Sequence, residues 1–418
     1  MGATSDQAIL KLRFNWALPC PLTMNSILWL RRYSSISHPS FTSFFYHNAR
    51  WVSHPRPLPS LTRSTTILNS FKQIEALTPR KLVKVYIQLA KSRLTVLVVL
   101  TAMSSVALSP LPTTLPILIS TAVGTTLCAA SANTFNQIQE VPFDAQMTRT
   151  RTRPLVRRAI TPMHATGFAI ASGIAGPALL FTMVNPATAY LGVANIALYA
   201  GLYTWMKRKS VYNTWVGAVV GGLPPLMGWT ACGGKLLPSS ACPVELFLPP
   251  FMVSDTPFPL DAVVDNPLAP LALFMLLFSW QFPHFNSLSY LVRDSYAQAG
   301  YHMLSVFSPA KNALVSFRHA IMLAIYSLLF PISGLTTWMF TLSALIPNLI
   351  FVRGAWQFWQ RGGEKEARKV FQHSLWYLPV ILGLMMVHKR GMDWLEWSGL
   401  YKGVEIESDD SASAATHQ

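Results

Sequence analysis

The chain has 418 residues, of which 51% are hydrophobic and 12% are charged, and its formal net charge is +16. A soluble domain carries about 25% charged residues, so the composition excludes an ordinary water-soluble fold and favours a membrane protein. The positive balance does not by itself indicate nucleic-acid binding, because membrane-flanking loops and targeting segments are also basic.

The first 73 residues differ in composition from the rest of the chain. Met1 to Lys72 contains eight Lys and Arg residues and one acid, Asp6, with serine and threonine throughout. An acid-poor segment rich in Arg and Ser is typical of a mitochondrial transit peptide, and a disordered basic tail is the alternative. We therefore divide the chain into a transit peptide with a disordered basic segment (1–73, below called the transit segment), a membrane domain (74–390) and a flexible acidic tail (391–418).

Apolar stretches fill the membrane domain. Each approaches the ~20 residues that a helix needs to cross ~30 Å of hydrocarbon. They predict an all-α polytopic membrane protein with about nine spans, at 94–109, 114–133, 163–182, 185–204, 214–231, 267–282, 315–333, 336–352 and 374–388.

The loops at one side of the predicted bundle carry most of the charge. Those after spans 2, 4, 6 and 8 hold 16 basic residues, whereas the loops after spans 1, 3, 5 and 7 hold only Lys235. By the positive-inside rule the basic side faces the compartment of insertion, which is the matrix if the transit segment is real. The basic set is Arg149, Arg151, Arg153, Arg157, Arg158, Lys207, Arg208, Lys209, Arg293, Lys311, Arg318, Arg353, Arg361, Lys365, Arg368 and Lys369.

An acidic motif lies where span 2 reaches this basic side. In "NQIQEVPFD" (136–144), Asn136, Glu140 and Asp144 fall at i, i+4 and i+8, on one face of a helix. Such oxygen ligands suit Mg²⁺, which bridges to substrate phosphates, and the arginines that follow are forked phosphate donors. From spacing alone, a diphosphate site and two carboxylates merely neutralised by arginines remain equally open.

Longer sequence blocks resemble a known family. "NQIQEVPFD" followed by "MTRTRTRPL" resembles the first Asp-rich motif of the UbiA superfamily of intramembrane prenyltransferases, and within it the mitochondrial protoheme IX farnesyltransferase (heme O synthase) branch. The likeness covers about residues 80 to 390, and its W-Q-x-P-H-F block separates this branch from quinone-prenylating relatives. The other blocks are "YIQLAKSRLTVLVVL" (86–100), "YTWMKRKSVYNTWVGAVVGGLPPLMGW" (203–229), "FSWQFPHFNSLSYLVRDSYAQAGYHML" (278–304) and "SLWYLPVILGLMM" (374–386).

The resemblance implies a fold and a reaction. The fold is about nine helices surrounding a central cavity, and the reaction converts farnesyl diphosphate and heme b into heme O and diphosphate, a step toward heme A for cytochrome c oxidase. It implies Mg²⁺ as cofactor, held by Asn136, Glu140 and Asp144. The residues that it suggests for diphosphate binding are Arg149, Arg153, Lys207, Arg208 and Arg293.

Binding of heme calls for an axial ligand to its iron, and neutral imidazole is a common one. His284 and His319 lie near span ends, and Gln281 and Tyr203 are further candidates for the heme or cavity wall. For each of these residues, a hydrogen-bonded or interfacial role is the alternative.

Two positions depart from the family pattern. Ser92 stands where relatives have proline, in K-P-R-L, which we expect to affect only a helix start. Relatives often read R-x-D-Y in the third block, but this chain has Arg293-Asp294-Ser295-Tyr296. Asp294 is thus either a catalytic carboxylate, which a loop backbone turns toward the Mg²⁺–diphosphate, or one partner of an exposed ion pair with Arg293.

Other classes remain open from the sequence. A quinone-precursor prenyltransferase would share the first motif, and a transporter would place charges in mid-span, which this chain does not. The sequence leaves open whether the chain forms homo-oligomers, whether it passes heme to an enzyme that forms heme A, and whether Cys232 and Cys242 form a disulfide. Nothing in it indicates nucleic-acid binding.

Overall fold

The computed structural model describes residues 78–240, 242–249, 252 and 265–392. The predicted transit segment and all of the acidic tail but Gly391 and Met392 lie outside these residues, as does part of the 232–266 loop. The described residues form no strand beyond two isolated bridges. Their helices are α1 (Pro79–Leu89), α2 (Ser92–Leu108), α3 (Leu115–Asp144), α4 (Pro162–Met183), α5 (Pro186–Ile196), a π-helical segment (Ala197–Tyr203), α6 (Thr204–Met206), α7 (Asn213–Ala231), α8 (Leu268–Leu291), α9 (Arg293–Gln298), α10 (Leu304–Phe307), α11 (Pro309–Tyr326), α12 (Leu329–Ile332), α13 (Met339–Arg361) and α14 (Gly363–Val387).

Every predicted span overlaps one of these helices, which confirms the all-α membrane architecture. Among the described residues, six helices are long and apolar enough to cross a bilayer, counting α11 with α12, and α1 with α2, bent by 55°, would make a seventh. The other two spans are helical but less regular, since α7 contains glycines and two prolines and the π segment divides 186–206. Nine is therefore an approximate count, and the central cavity stays a prediction.

The helices continue beyond the predicted spans on the basic side. α3 ends at Asp144 rather than at 133, and α8 ends at Leu291 rather than at 282. α11 begins at Pro309 rather than at 315, so Lys311, predicted in a loop, lies on a helix instead. Hydropathy detects only the part of a helix that crosses lipid. Charged turns can continue the same helix, with its backbone hydrogen bonds, into the membrane–water interface.

The membrane helices pack as two groups that meet where α7 contacts α8. One group is α2, α3, α4, α5 and α7, and the other is α8, α11, α13 and α14. α2 and α7 approach closely at Gly228, where a Cβ would lie 2.0 Å from the carbonyl oxygen of Ala102. Only glycine allows this approach. The second group encloses buried aromatic side chains such as Phe340, Phe351 and Tyr377.

Apolar side chains cover the surface of this molecule and polar ones lie in its interior, the reverse of a soluble protein. Large apolar side chains such as Leu97 and Ile346 are 60% and 67% exposed. Asn136, Glu140 and Asp144, by contrast, are buried. Lipid solvates apolar surface, and charges inside a membrane domain turn toward the bundle interior. The surface therefore fits a bilayer.

The cysteines of the described loop are free thiols. Cys232 and Cys242 are unbonded to each other. The Cys242 Sγ instead donates a hydrogen bond to the carbonyl oxygen of Asp265, at 2.9 Å.

Candidate active site

The C-terminal turns of α3 carry the acidic motif on one inward face. Asn136, Glu140 and Asp144 are 0%, 4% and 1% exposed, and their spacing of four places them above one another on the helix. The predicted shared face is thus present. What the sequence could not give is the set of partners that surrounds these three side chains.

Lys91 reaches the first of them from the bend between α1 and α2. Its Nζ donates hydrogen bonds to Asn136 Oδ1 at 2.7 Å and to the Tyr199 hydroxyl at 3.4 Å. The Asn136 amide in turn donates to Thr204 Oγ1 at 3.0 Å. Lys91 has φ 50°, a left-handed conformation that costs a non-glycine residue about 1 kcal/mol. Ser92, the departure from the family pattern, is the first residue of α2, as expected.

Two further cations hold the carboxylates. Lys207, directly after α6, donates to Glu140 Oε1 at 2.6 Å. Arg153, in the loop after α3, donates to Glu140 Oε2 at 3.4 Å and also to Asp144 Oδ2. We call Lys91, Glu140, Asp144, Arg153 and Lys207 the charged cluster. Its members come from three separate parts of the chain.

The charged cluster is suited to an anion. Its three cations and two carboxylates leave a formal charge of +1 (3 − 2). Burial is the largest single influence and lowers the pKa of Lys207, but Glu140, Tyr203, Tyr199 and Tyr301 together outweigh it, and the pKa lies well above its ordinary value. Burial likewise lowers the pKa of Arg153, and Asp144 and Glu140 raise it further than burial lowers it. Both side chains therefore stay cationic at neutral pH.

Tyrosines form one wall of the charged cluster. Tyr199 and Tyr203, both in the π segment, stack with ring centroids 5.3 Å apart, and π-helical turns occur frequently at functional sites. The Lys207 Nζ lies 4.5 Å from the Tyr203 ring centroid and 5.9 Å from that of Tyr301. Burial, together with the Glu140 carboxylate, raises the pKa of Tyr301 well above its ordinary value. Tyr203 was a sequence candidate, whereas Lys91, Tyr199 and Tyr301 were missed.

Two predicted phosphate-binding residues lie outside the charged cluster. Arg149 is exposed and makes no hydrogen bond or ion pair within the described ranges. Arg208 is also exposed, with its guanidinium 5.0 Å from the Phe143 ring centroid. The Arg208 carbonyl accepts a hydrogen bond from the ring of His302, while the His302 amide donates to the Lys207 carbonyl at 2.8 Å. These bonds fasten the 207–208 turn to the segment after α9.

The Arg293–Asp294 pair is also separate from the charged cluster. Arg293 Nε lies 3.9 Å from Asp294 Oδ1, and the Asp294 side chain is 73% exposed. The Arg293 guanidinium packs 4.5 Å from the Tyr290 ring centroid. The prediction of a loop backbone here is wrong, because both residues begin the short helix α9. Tyr296 of the same helix does pack with Phe143 at the end of α3.

The candidates for the heme or cavity wall contact other helices. Gln281 donates to the carbonyl oxygen of Ala218 on α7, at 3.0 Å. The Nδ1 of His284 shares a hydrogen bond of 2.8 Å with Ser374 Oγ on α14, and its ring stacks on Trp280. The Nδ1 of His319 shares one of 3.2 Å with Ser279 Oγ. Each histidine thus uses Nδ1 for packing, and Nε2 of neither ring makes a hydrogen bond within the described residues.

The donor set of the motif fits a magnesium ion. In the part of the chain that the structure describes, no group of three His, Cys, Asp or Glu side chains lies together. Mg²⁺ does not need one, because it keeps several waters and takes one or two carboxylates. Asp144 Oδ1 is buried without a hydrogen-bond partner. An unpaired buried carboxylate oxygen one helical turn from Glu140 is a suitable ligand position for a hard cation.

Comparison with known families identifies the scaffold. The model of the UbiA prenyltransferase family matches residues 96–376, which includes α3, the charged cluster apart from Lys91, and α8. The chain belongs to the UbiA prenyltransferase family.

Similar curated UbiA-family relatives carry the name mitochondrial protoheme IX farnesyltransferase. The protein of Yarrowia lipolytica is 44% identical over 74% of this chain and 63% of its own length. That of Gibberella zeae is 39% identical over 85% of this chain and 69% of its own length. The human protein is 41% identical over 72% and 62%. The chain thus spans a little under two thirds of several of these relatives.

Solved UbiA-family structures share the fold at low identity. A digeranylgeranylglyceryl phosphate synthase matches with a TM-score of 0.58 and 15% identity, over 73% of this chain and 98% of its own. An apo UbiA homolog from Aeropyrum pernix K1 matches with a TM-score of 0.52 and 17% identity, over 71% and 97%. At such identities, the likeness concerns the fold alone.

Proposed function

We propose that this chain transfers the farnesyl group of farnesyl diphosphate to a vinyl group of heme b, giving heme O and diphosphate in the mitochondrial inner membrane. The charged cluster is the observation that carries the proposal, because buried cations beside a buried acidic motif suit a diphosphate leaving group. The W-Q-F-P-H-F block (280–285) and the names of the curated relatives support heme as the acceptor.

The cations have the clearest part in the chemistry. Lys91, Arg153 and Lys207 would bind the diphosphate oxygens and stabilise the negative charge that grows as the C–O bond of farnesyl diphosphate breaks, which is the usual source of the largest catalytic effect. Asn136, Glu140 and Asp144 would hold Mg²⁺. Bound there, the ion would neutralise further charge on the diphosphate and make it a better leaving group.

The acceptor half of the reaction needs an apolar site. The π electrons of the heme vinyl group attack the farnesyl cation, and water then adds to the resulting cation and releases a proton, leaving the hydroxyl of heme O. The faces of Tyr199 and Tyr203 would stabilise positive charge near the departing diphosphate. His284 and His319, each oriented by a serine through Nδ1, are the heme-ligand candidates.

Asp294 acts in this proposal only when substrate is bound. Its carboxylate is exposed, so the free protein does not hold it against the charged cluster. Its helix, α9, packs beside the end of α3 through Tyr296 and Phe143, which is the end where the diphosphate would sit.

The proposal also assigns the orientation of the protein in the inner membrane. The basic ends of the helices, and with them the charged cluster, would face the matrix, and a transit peptide within the first 73 residues would be removed after import. Protease added to mitoplasts should leave the 145–161 loop intact until detergent is added. Cleavage before detergent would reverse the orientation, and an imported protein that keeps Met1 would refute the transit segment.

Heme extraction from cells that lack the protein tests the function. We expect heme O and heme A to disappear while heme B and ubiquinone stay at normal levels, and the intact gene to restore both hemes. Loss of ubiquinone with normal heme A would instead favour a quinone-precursor prenyltransferase and overturn the proposal.

A further inference from the structure

A buried hydroxyl without a partner lies beside the charged cluster. Tyr301, in the segment after α9, is 4% exposed, and its hydroxyl makes no hydrogen bond within the described chain. Its ring centroid is 5.6 Å from that of Phe143 and 5.9 Å from the Lys207 Nζ. Asp144 Oδ1, on a residue of the charged cluster itself, is a second buried oxygen without a hydrogen-bond partner in the described chain. Two such atoms next to one cationic group call for an explanation.

Packing does not explain the hydroxyl. The Tyr301 ring fills an apolar cluster with Phe143, Met147 and Tyr296, and a phenylalanine would fill the same space. Burying a hydroxyl without a hydrogen bond is costly, and buried polar groups are normally paired. An acceptor supplied by a ligand would remove this cost.

The backbone holds Tyr301 where such a ligand would bind. The Tyr301 amide donates to the Tyr296 carbonyl at 3.0 Å, and the next residue, His302, donates from its amide to the Lys207 carbonyl at 2.8 Å. Asn213 on α7 donates to the His302 carbonyl, also at 2.8 Å. The segment that carries Tyr301 is thus tied directly to the residue that binds Glu140.

We propose that the Tyr301 hydroxyl donates a hydrogen bond to an oxygen of the diphosphate held by the charged cluster. Tyr301 thereby adds a neutral donor to a ligand set that otherwise consists of cations and a metal. It comes from the segment between α8 and α11, so it completes the site from the helix group opposite α3. This inference rests on the proposed function, since it needs a diphosphate in the charged cluster.

Binding of inorganic pyrophosphate with Mg²⁺ tests the inference without the farnesyl or heme substrates. Calorimetry would compare the full-length protein in lipid nanodiscs with its Tyr301→Phe variant. A hydrogen bond to a charged acceptor predicts that the variant binds about tenfold more weakly. Because the lost hydroxyl is unpaired in the free protein, the variant's melting temperature without ligand should stay unchanged or rise.

Tyr290→Phe is the matched control. Tyr290 lies near the end of α8, and its hydroxyl accepts a hydrogen bond from the Gly363 amide at 3.3 Å, away from the charged cluster. Its removal should leave pyrophosphate affinity unchanged. Equal affinity in Tyr301→Phe and wild type would overturn the inference, as would a lower melting temperature with unaltered affinity, which would assign the hydroxyl a structural role. A wild-type protein that binds no pyrophosphate would overturn the proposed function together with the inference.

Discussion

The two acidic regions on the basic side of this molecule differ in how firmly they are held. Glu140 and Asp144 are buried and contact Lys207 and Arg153. Asp294 has only its neighbour Arg293, at 3.9 Å, and is 73% exposed. The first region exists as an assembled site in the free protein. The second region takes part in the proposed reaction only when bound substrate brings the Asp294 carboxylate to the charged cluster.

The two regions also differ in how much their ion pairs contribute to the free energy of unfolding. Removing one partner of a buried ion pair costs about 3–5 kcal/mol, because the other charge is left buried and unpaired. An exposed ion pair contributes about 0–1 kcal/mol, and salt screens it. Substitutions in the charged cluster should therefore affect both stability and activity, whereas substitutions of Asp294 should affect activity alone.

The largest effect should come from Asp144→Asn. The amide replaces an anionic oxygen, Oδ1, that is free to ligate a cation, and amides are poor substitutes for an anionic Mg²⁺ ligand. We expect farnesyl transfer by the purified variant to fall by at least about 100-fold, with helix content and membrane insertion retained.

Glu364→Gln is the control for that change. Glu364 is an exposed acid in the first turn of α14, so the same acid-to-amide replacement there should leave turnover unaltered. Near-normal heme O formation by a well-expressed Asp144→Asn protein would refute the metal assignment.

Lys207→Met should be nearly as damaging, for two separable reasons. It removes a cation from the proposed diphosphate site, and it leaves Glu140 without its closest partner, 2.6 Å away. We expect about a 100-fold loss of turnover and about 3 kcal/mol of lost stability, measured by denaturation in mild detergent.

A double variant separates the two causes. Lys207→Met with Glu140→Gln removes the unpaired carboxylate, so most of the lost stability should return while activity stays low. Recovery of turnover along with stability would contradict both the cationic role of Lys207 and the metal-binding role of Glu140.

Asp294→Ala should have a smaller effect, confined to catalysis. We expect turnover to fall about tenfold, less than in Asp144→Asn, while the melting temperature stays the same because the ion pair is exposed. Moving the carboxylate one place along, as Asp294→Ala with Ser295→Asp, should restore part of the rate. A variant with wild-type rate and unchanged Mg²⁺ dependence would show that Asp294 has no part in the reaction.

The smallest effect should be that of His284→Ala on heme binding. His284 is part-buried, and Ser374 orients its ring through Nδ1. Loss of an axial imidazole should weaken heme b binding about threefold and shift the Soret absorbance, with pyrophosphate affinity unaffected. An unchanged Soret spectrum would leave His284 as a packing residue between α8 and α14.

The sequence predicted the architecture well because hydropathy reports directly on lipid-facing helices. All nine predicted spans are helical, but α3 and α8 continue past their predicted ends. Those extra turns bear the polar residues that lower hydropathy, so the measure fails where the site begins. α1, amphipathic rather than apolar, was missed for the same reason.

For the site, periodicity and resemblance found one face and missed its surroundings. The i, i+4, i+8 spacing of Asn136, Glu140 and Asp144 predicted their common face. No local pattern indicates that Lys91 bends back to Asn136 across 45 residues, or that Tyr301 packs beside Lys207. These contacts depend on tertiary packing and on one left-handed backbone conformation, and neither can be predicted from the spacing of residues in the sequence.

The most direct test of the central claim is farnesyl transfer by the purified protein in nanodiscs, supplied with heme b, farnesyl diphosphate and graded Mg²⁺. Mass spectrometry of the extracted heme would follow the product. We predict that wild type forms heme O in a Mg²⁺-dependent manner and that Asp144→Asn forms almost none at any Mg²⁺ concentration. Equal, Mg²⁺-independent heme O formation by both proteins would contradict the assignment of the charged cluster as the diphosphate site.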